Sequence, residues 1–298
     1  MILDIFIAAI IGLLAGGLVN LLADDLPFRR QPSLPTYPDG TPRPVTAWLG
    51  TSAFLLGQRE PAIPKPDESR ARPYYNEEGK ILHTPTKLSW RYPLTELLTI
   101  GLMILTAAAN IPEMTLVQLA LYFVFMTFFA LITVIDMEHR LILFVVIIPA
   151  IVLAIVDALV LSDVGPNFKE ALSGAGLGFG VFFAMYLGGL AFNYVMAKIQ
   201  NRELPTAFGY GDVMLITFSG ALLGLTNVLV ALFITIFLGA IGAILISLEN
   251  GSFHAAVIVR FRRFPMDPIL SWQRLLCCCI LMLLSVGYGL GCQFVINC

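Results

Sequence analysis

"AFGYGDVML", residues 207–215, puts a carboxylate, Asp212, directly after two glycines and at the head of a hydrophobic run. A charge entering a bilayer segment is costly and marks either function or a buried pair. Whether a bilayer is involved follows from composition. Of the 298 residues, 58% are hydrophobic and 13% are charged, whereas soluble domains carry about 25% charged residues. Such a chain must turn most of its surface to lipid, which excludes an ordinary soluble fold. The net charge is −2 and no basic block stands alone, so nothing points to a nucleic-acid partner.

A membrane-crossing helix needs roughly 20 apolar residues. Seven runs approach or meet that length: 2–23, 94–111, 115–136, 141–161, 171–197, 228–248 and 273–295. A shorter eighth, 212–225, ends at Thr226-Asn227. The first run has no positive leader, carries Asp4 at its front and is followed by Asp24 and Asp25, so it reads as a retained span and not as a signal peptide. The expected fold is an all-α polytopic membrane protein of about eight transmembrane helices. Its expected organisation is a first transmembrane helix over 1–27, a cytoplasmic lobe over 28–91 and a membrane core over 92–298. The lobe holds ten prolines and reads as irregular, with a hairpin across Glu78-Gly79. Trp48, Tyr74, Tyr75 and Trp90 are its expected aromatic core.

Basic residues orient the spans. With the N-terminus outside, every one of the 18 Lys and Arg except Lys169 faces inward. Both chain termini then lie outside. Asp136, which closes the third span in "FALITVIDMEHRLI" (129–142), shares the cytoplasmic end with Asp212.

Two carboxylates at one depth are the minimum equipment of an aspartyl protease. One ionised acid takes a proton from water while its protonated neighbour polarises the scissile carbonyl, because two like charges close together cannot both ionise. Gly209 and Gly211 allow backbone angles and close approaches that side chains would block. Glu138, His139 and Arg140 neighbour Asp136, and Glu96 opens the second span at the same membrane face; these four are candidates to support the pair. The alternative is a transporter or channel using Asp136 and Asp212 as proton or ion ligands, but no internal repeat is visible and both acids lie at an edge instead of the midplane.

At these residues the chain resembles the bacterial type IV prepilin peptidases, membrane aspartyl proteases with a GxGD motif. "GYGD" (209–212) fits that motif, and "IDMEH" (135–139) fits the family's first aspartate motif. "GGLVNLLADDLP" (16–27), "RYPLTELLT" (91–99) and "FPMDP" (264–268) are similar to three further family segments in the same order. The resemblance implies eight helices in the bacterial inner membrane and catalytic aspartates at Asp136 and Asp212. It also implies an active site at the cytoplasmic face and cleavage of prepilins or pseudopilins after a glycine that precedes their hydrophobic helix. The expected partners are therefore the substrate helix and membrane lipid. The family's second activity, N-methylation of the new terminus, would use S-adenosylmethionine where it is retained; proteolysis itself needs no cofactor. Three features depart from the pattern. The family lobe usually carries two CxxC pairs that bind zinc, whereas all five cysteines here lie at or beyond Cys277, so no metal is expected. Leu143-Phe144 stands where the first motif usually continues to Pro-Asp, and Asp24-Asp25 stands where His-Arg is common.

Overall fold

The computed structural model describes residues 2–28, 30–67, 69–72, 74–75, 81–83, 86–108, 115–139, 141–161, 165–200 and 209–249. Arg140, the "FPMDP" stretch, the expected span 273–295 and the cysteines lie outside them. The chain divides into two compact units, Met1–Ala108 and Ala109–Cys298.

The first unit contains α1 (Ile2–Asp25), α2 (Gly50–Leu55), the strands β1 (Tyr74–Tyr75) and β2 (Ile81–His83), and α3 (Arg91–Ala108). The two strands pair antiparallel, Tyr74 with His83; the Glu78-Gly79 turn expected from sequence lies outside the described residues. Helices α1 and α3 pack backbone to backbone. A Cβ on Gly12 would sit 2.6 Å from Ile100 Cα, and one on Gly16 equally close to Glu96 Cα. The spacing of four between these glycines clears one face of α1, the usual way for two apolar helices to approach in lipid. Thr99 uses the proximity to donate to the Gly12 carbonyl at 2.8 Å, and Asn20 reaches the Tyr92 carbonyl at 3.0 Å.

Neither of the two tryptophans expected in the lobe's core is buried in it. Tyr37, Ala47, Ala53, Leu88 and Tyr92 are buried together, with Phe54 against them. Trp48 and Trp90 are 39% and 63% exposed. Trp90 instead packs on Phe54 with the rings tilted and their centres 4.7 Å apart, and the Arg59 guanidinium lies over both rings. The side chains of Tyr74 and Tyr75 are outside the description.

The second unit contains α4 (Leu116–His139), α5 (Phe144–Val160), α6 (Phe168–Gln200) and α7 (Tyr210–Glu249). Local chemistry explains the helix starts. Thr115 and Gln118 exchange hydrogen bonds at the head of α4, and Asn167 and Glu170 do the same at the head of α6. Each exchange satisfies backbone donors that a helix N-terminus leaves unpaired. The runs 212–225 and 228–248 fall within α7 as two helical stretches that meet at a kink, the non-helical Gly224, at φ 74° and ψ 176°. Only glycine takes that conformation at low cost. The break precedes the expected boundary at Thr226-Asn227, because Asn227 stays helical and bonds the Leu223 carbonyl at 2.9 Å.

Among the described residues, four helical stretches are long and apolar enough to cross a membrane: Leu3–Phe28, Leu116–His139, Phe168–Ile199 and Tyr210–Phe237. Helix α5 is a shorter apolar helix.

Helices α6 and α7 meet at glycines. A Cβ on Gly174 would strike the Gly220 carbonyl, a Cβ on Gly220 would strike the Gly174 carbonyl, and one on Gly178 would lie 2.9 Å from the Ile216 carbonyl. The pairing 174 with 220 and 178 with 216 makes the helices antiparallel. Gly174→Val and Gly220→Val are expected to destabilise the protein by about 1–3 kcal/mol or more through overpacking. The check is a lowered thermal unfolding midpoint in detergent. Gly176→Ala, whose added Cβ would meet nothing within 4 Å, is expected to leave the midpoint unchanged or raise it slightly.

Candidate active site

Asp136 and Asp212 both lie in the second unit. Asp136 stands in the last turn of α4 and is 6% exposed. Asp212 stands in the first turn of α7, half-buried, with its backbone N–H donating to the Gly209 carbonyl at 3.1 Å. Its carboxylate turns back towards its own helix start, Oδ2 lying 3.5 Å from where a Gly209 Cβ would be. That placement sets the anion against the positive end of the helix dipole.

Two contacts fix how α4 and α7 run past each other. Phe129 of α4 packs on Phe218 of α7 with ring centres 4.8 Å apart. Beyond the end of α4, Ile142 lies so close to Gly211 that a Cβ there would be 2.8 Å from the Ile142 Cβ. Residue numbers rise from Phe129 of α4 to Ile142 just beyond it and fall along α7 from 218 to 211, so the helices are antiparallel. Asp136 and Asp212 fall between the same two contacts. At ~1.5 Å rise per residue, Asp136 is about 10 Å beyond Phe129 and Asp212 about 9 Å from Phe218. The two acids therefore occupy one level of the helix pair.

The glycines of the GYGD stretch have a narrower role than the sequence suggested. Neither is among the glycines with positive φ. Gly211 is required by its close approach to Ile142, and Gly209 starts the helix. Tyr210, between them, is a residue the sequence reading passed over. Its ring lies 5.6 Å from Tyr186 and 6.5 Å from Phe183, both on α6, and 5.8 Å from Phe144 at the start of α5. The residues flanking Asp212 are thus anchored on three sides.

Glu138 and His139 sit beside Asp136 but are exposed, with His139 Nε2 3.8 Å from Glu138 Oε2. Glu96 belongs to the first unit and is fully buried. Its two oxygens accept from the backbone N–H groups of Gly50 at 2.5 Å and Thr51 at 2.7 Å, the first residues of α2. It neutralises the start of another helix, which accounts for a buried carboxylate there.

The largest feature not legible in the sequence is Asp24, at the end of α1. Its carboxylate meets Arg91 at 2.5 Å, Arg72 at 2.7 Å and Arg43 at 3.9 Å, and accepts from the Tyr92 hydroxyl. Burial works against the Arg72 charge, but Asp24 outweighs it and holds the guanidinium above its usual pKa. Four distant chain segments are tied at this one carboxylate, as a four-ligand metal would tie them. The residues present do not fit zinc: the segment 28–91 has no cysteine and a single histidine, His83. Among the described residues no three His, Cys, Asp or Glu side chains form a group that could hold a metal.

Residues 123–244, which include both acids, match the model of the type IV leader peptidase family. The segment is similar to the type IV leader peptidases. It covers less than half of the 298 residues, and no curated protein and no solved structure matches the chain. The matched residues run from within α4 into α7, so the leader peptidase match contains every contact that levels Asp136 with Asp212.

Asp24→Asn is expected to destabilise the first unit by about 3–5 kcal/mol, the usual effect of leaving buried charges without their partner. Thermal unfolding and limited proteolysis of the lobe measure it. Breaking the Lys87–Glu60 pair, 56% exposed on both sides, is expected to change stability by less than about 1 kcal/mol.

Proposed function

We propose that the protein is a membrane aspartyl endopeptidase that removes the leader from type IV prepilins and pseudopilins. Cleavage falls after a glycine, at the cytoplasmic face of the bacterial inner membrane, and both chain termini lie outside. The observation that carries this reading is the bracketing of Asp136 and Asp212 between the Phe129–Phe218 and Ile142–Gly211 contacts, within the segment that matches the leader peptidases.

The helix ends support a division of roles between the two acids. Asp212 lies at the N-terminal end of α7, which favours an anion, and Asp136 at the C-terminal end of α4, which disfavours one. Asp212 is then the base that takes a proton from water, and Asp136 the acid that donates to the scissile carbonyl oxygen. The water oxygen adds to the carbonyl carbon. Collapse of the tetrahedral intermediate breaks the C–N bond, and the new amino terminus leaves with a proton returned from the pair. No step needs a metal or an organic cofactor. Zinc is proposed to be absent from the lobe, its place taken by the Asp24–arginine cluster.

Asp136→Asn and Asp212→Asn are each expected to abolish cleavage of a prepilin-like peptide while the protein still inserts and unfolds at the wild-type midpoint. Mass spectrometry of the peptide reads both the cleavage position and any added methyl group. Near-normal cleavage by either variant removes the assignment. Binding of protons or cations without cleavage after glycine favours the transporter reading instead.

A chelator is expected to leave cleavage unchanged, and elemental analysis of the purified protein is expected to find no stoichiometric zinc.

A further inference from the structure

Hydroxyl side chains inside apolar helices usually donate to the carbonyl four residues back. Thr95, Thr99, Thr106, Thr127, Thr217 and Ser219 all do so, at 2.7–3.1 Å. Thr133 of α4 does not. It is 5% exposed, and its Oγ1 is shut off from solvent with no hydrogen-bond partner. A buried hydroxyl left unbonded costs stability, and a native fold retains one only for a reason. The Phe129 carbonyl, four residues back on the same helix, is the partner this pattern would give it, and the hydroxyl does not take it.

Asp136 is three residues further along α4. Residues at that spacing are neighbours on one helix face, about 5–6 Å apart at Cβ. Helical side chains also lean towards the N-terminus, which carries the Asp136 carboxyl back over the turn containing Thr133. A hydroxyl and a carboxyl so placed can both reach one small polar molecule between them. Buried water needs about three such hydrogen bonds.

We propose that Thr133 belongs to the peptidase site and that its hydroxyl holds the hydrolytic water against the two aspartates. The inference rests on the aspartate-pair reading above. One water hydrogen goes to the Asp212 carboxylate and the other to the unprotonated oxygen of the Asp136 carboxyl; the Thr133 hydroxyl donates to one lone pair of the water oxygen, which leaves the second lone pair aimed at the scissile carbonyl carbon. The hydroxyl is neither consumed nor ionised. It fixes the direction of attack, and a small misplacement of a reacting group can slow a reaction by about 100-fold.

The test uses the full-length protein in detergent or liposomes with a prepilin-like peptide. Thr133→Val keeps the shape and removes the hydroxyl. It is expected to lower kcat by about 10–100-fold, to leave KM within about twofold, as for an interaction made in the transition state, and to leave the unfolding midpoint unchanged or raised. Thr133→Ser is expected to recover most of the lost kcat. Thr127→Val, which removes a back-bonded hydroxyl two turns away, is expected to behave as wild type. Wild-type kcat in Thr133→Val overturns the proposal. So does a loss of kcat that tracks a lowered midpoint and is not recovered by serine. Asp136→Asn assayed alongside separates the two levels: near-normal cleavage there removes the aspartate pair itself, whatever Thr133→Val shows.

Discussion

Close backbone approach at glycine is the constraint on which the rest of the second unit depends. Lipid offers helices no hydrophobic incentive to associate, so contact area must come from surfaces that fit without side chains between them. Helix α6 meets α7 through Gly174 and Gly220, and α7 meets the segment after α4 through Gly211. The last contact sits one residue before Asp212. Any side chain at position 211 would push the start of α7 away from Ile142 and move the carboxylate with it. The same device recurs in the first unit, where Gly12 and Gly16 bring α1 against α3. There it lets Thr99 and Asn20 bond across the helix pair.

Polar groups are placed with equal economy. A buried charge is tolerated when it is paired and fully bonded, and it is costly otherwise. Asp24 satisfies that condition by gathering Arg43, Arg72 and Arg91. Glu96 satisfies it by accepting from the first backbone groups of α2. Both acids lie outside the segment that matches the leader peptidases, and their bonds are architectural: one ties loops to helix ends, the other holds a short helix. The lobe is thereby cross-linked through charge at a point where cysteines are missing from the chain.

Much of this was legible in sequence because it follows from periodicity and local chemistry. The apolar runs placed α1, α4, α5 and α6 to within a few residues, and the strands β1 and β2 pair on either side of the residues read as a turn. The glycine-flanked Asp212 and the span-ending Asp136 stood out because carboxylates are rare at such positions. Features that depend on distant partners stayed hidden. Asp24 read as a departure from a motif, since nothing in its neighbourhood announces Arg72 or Arg91. The aromatic core expected from Trp48, Tyr74, Tyr75 and Trp90 does not hold for the tryptophans: Tyr37 and Leu88 are buried in the core and Trp90 lies exposed against Phe54. Tyr210 and Thr133 escaped notice for a related reason. An aromatic or a threonine in an apolar helix is ordinary until its neighbours, or its missing bond, are seen.

The central claim is that Asp136 and Asp212 act as one proton-sharing pair. Isotope-edited infrared spectroscopy of the aspartate carboxyls near neutral pH tests it most directly. The account predicts one protonated carboxyl band in the wild-type protein that is lost in both Asp136→Asn and Asp212→Asn, because a lone acid at either position no longer needs to keep its proton. A spectrum in which neither substitution removes a protonated carboxyl band would contradict the account.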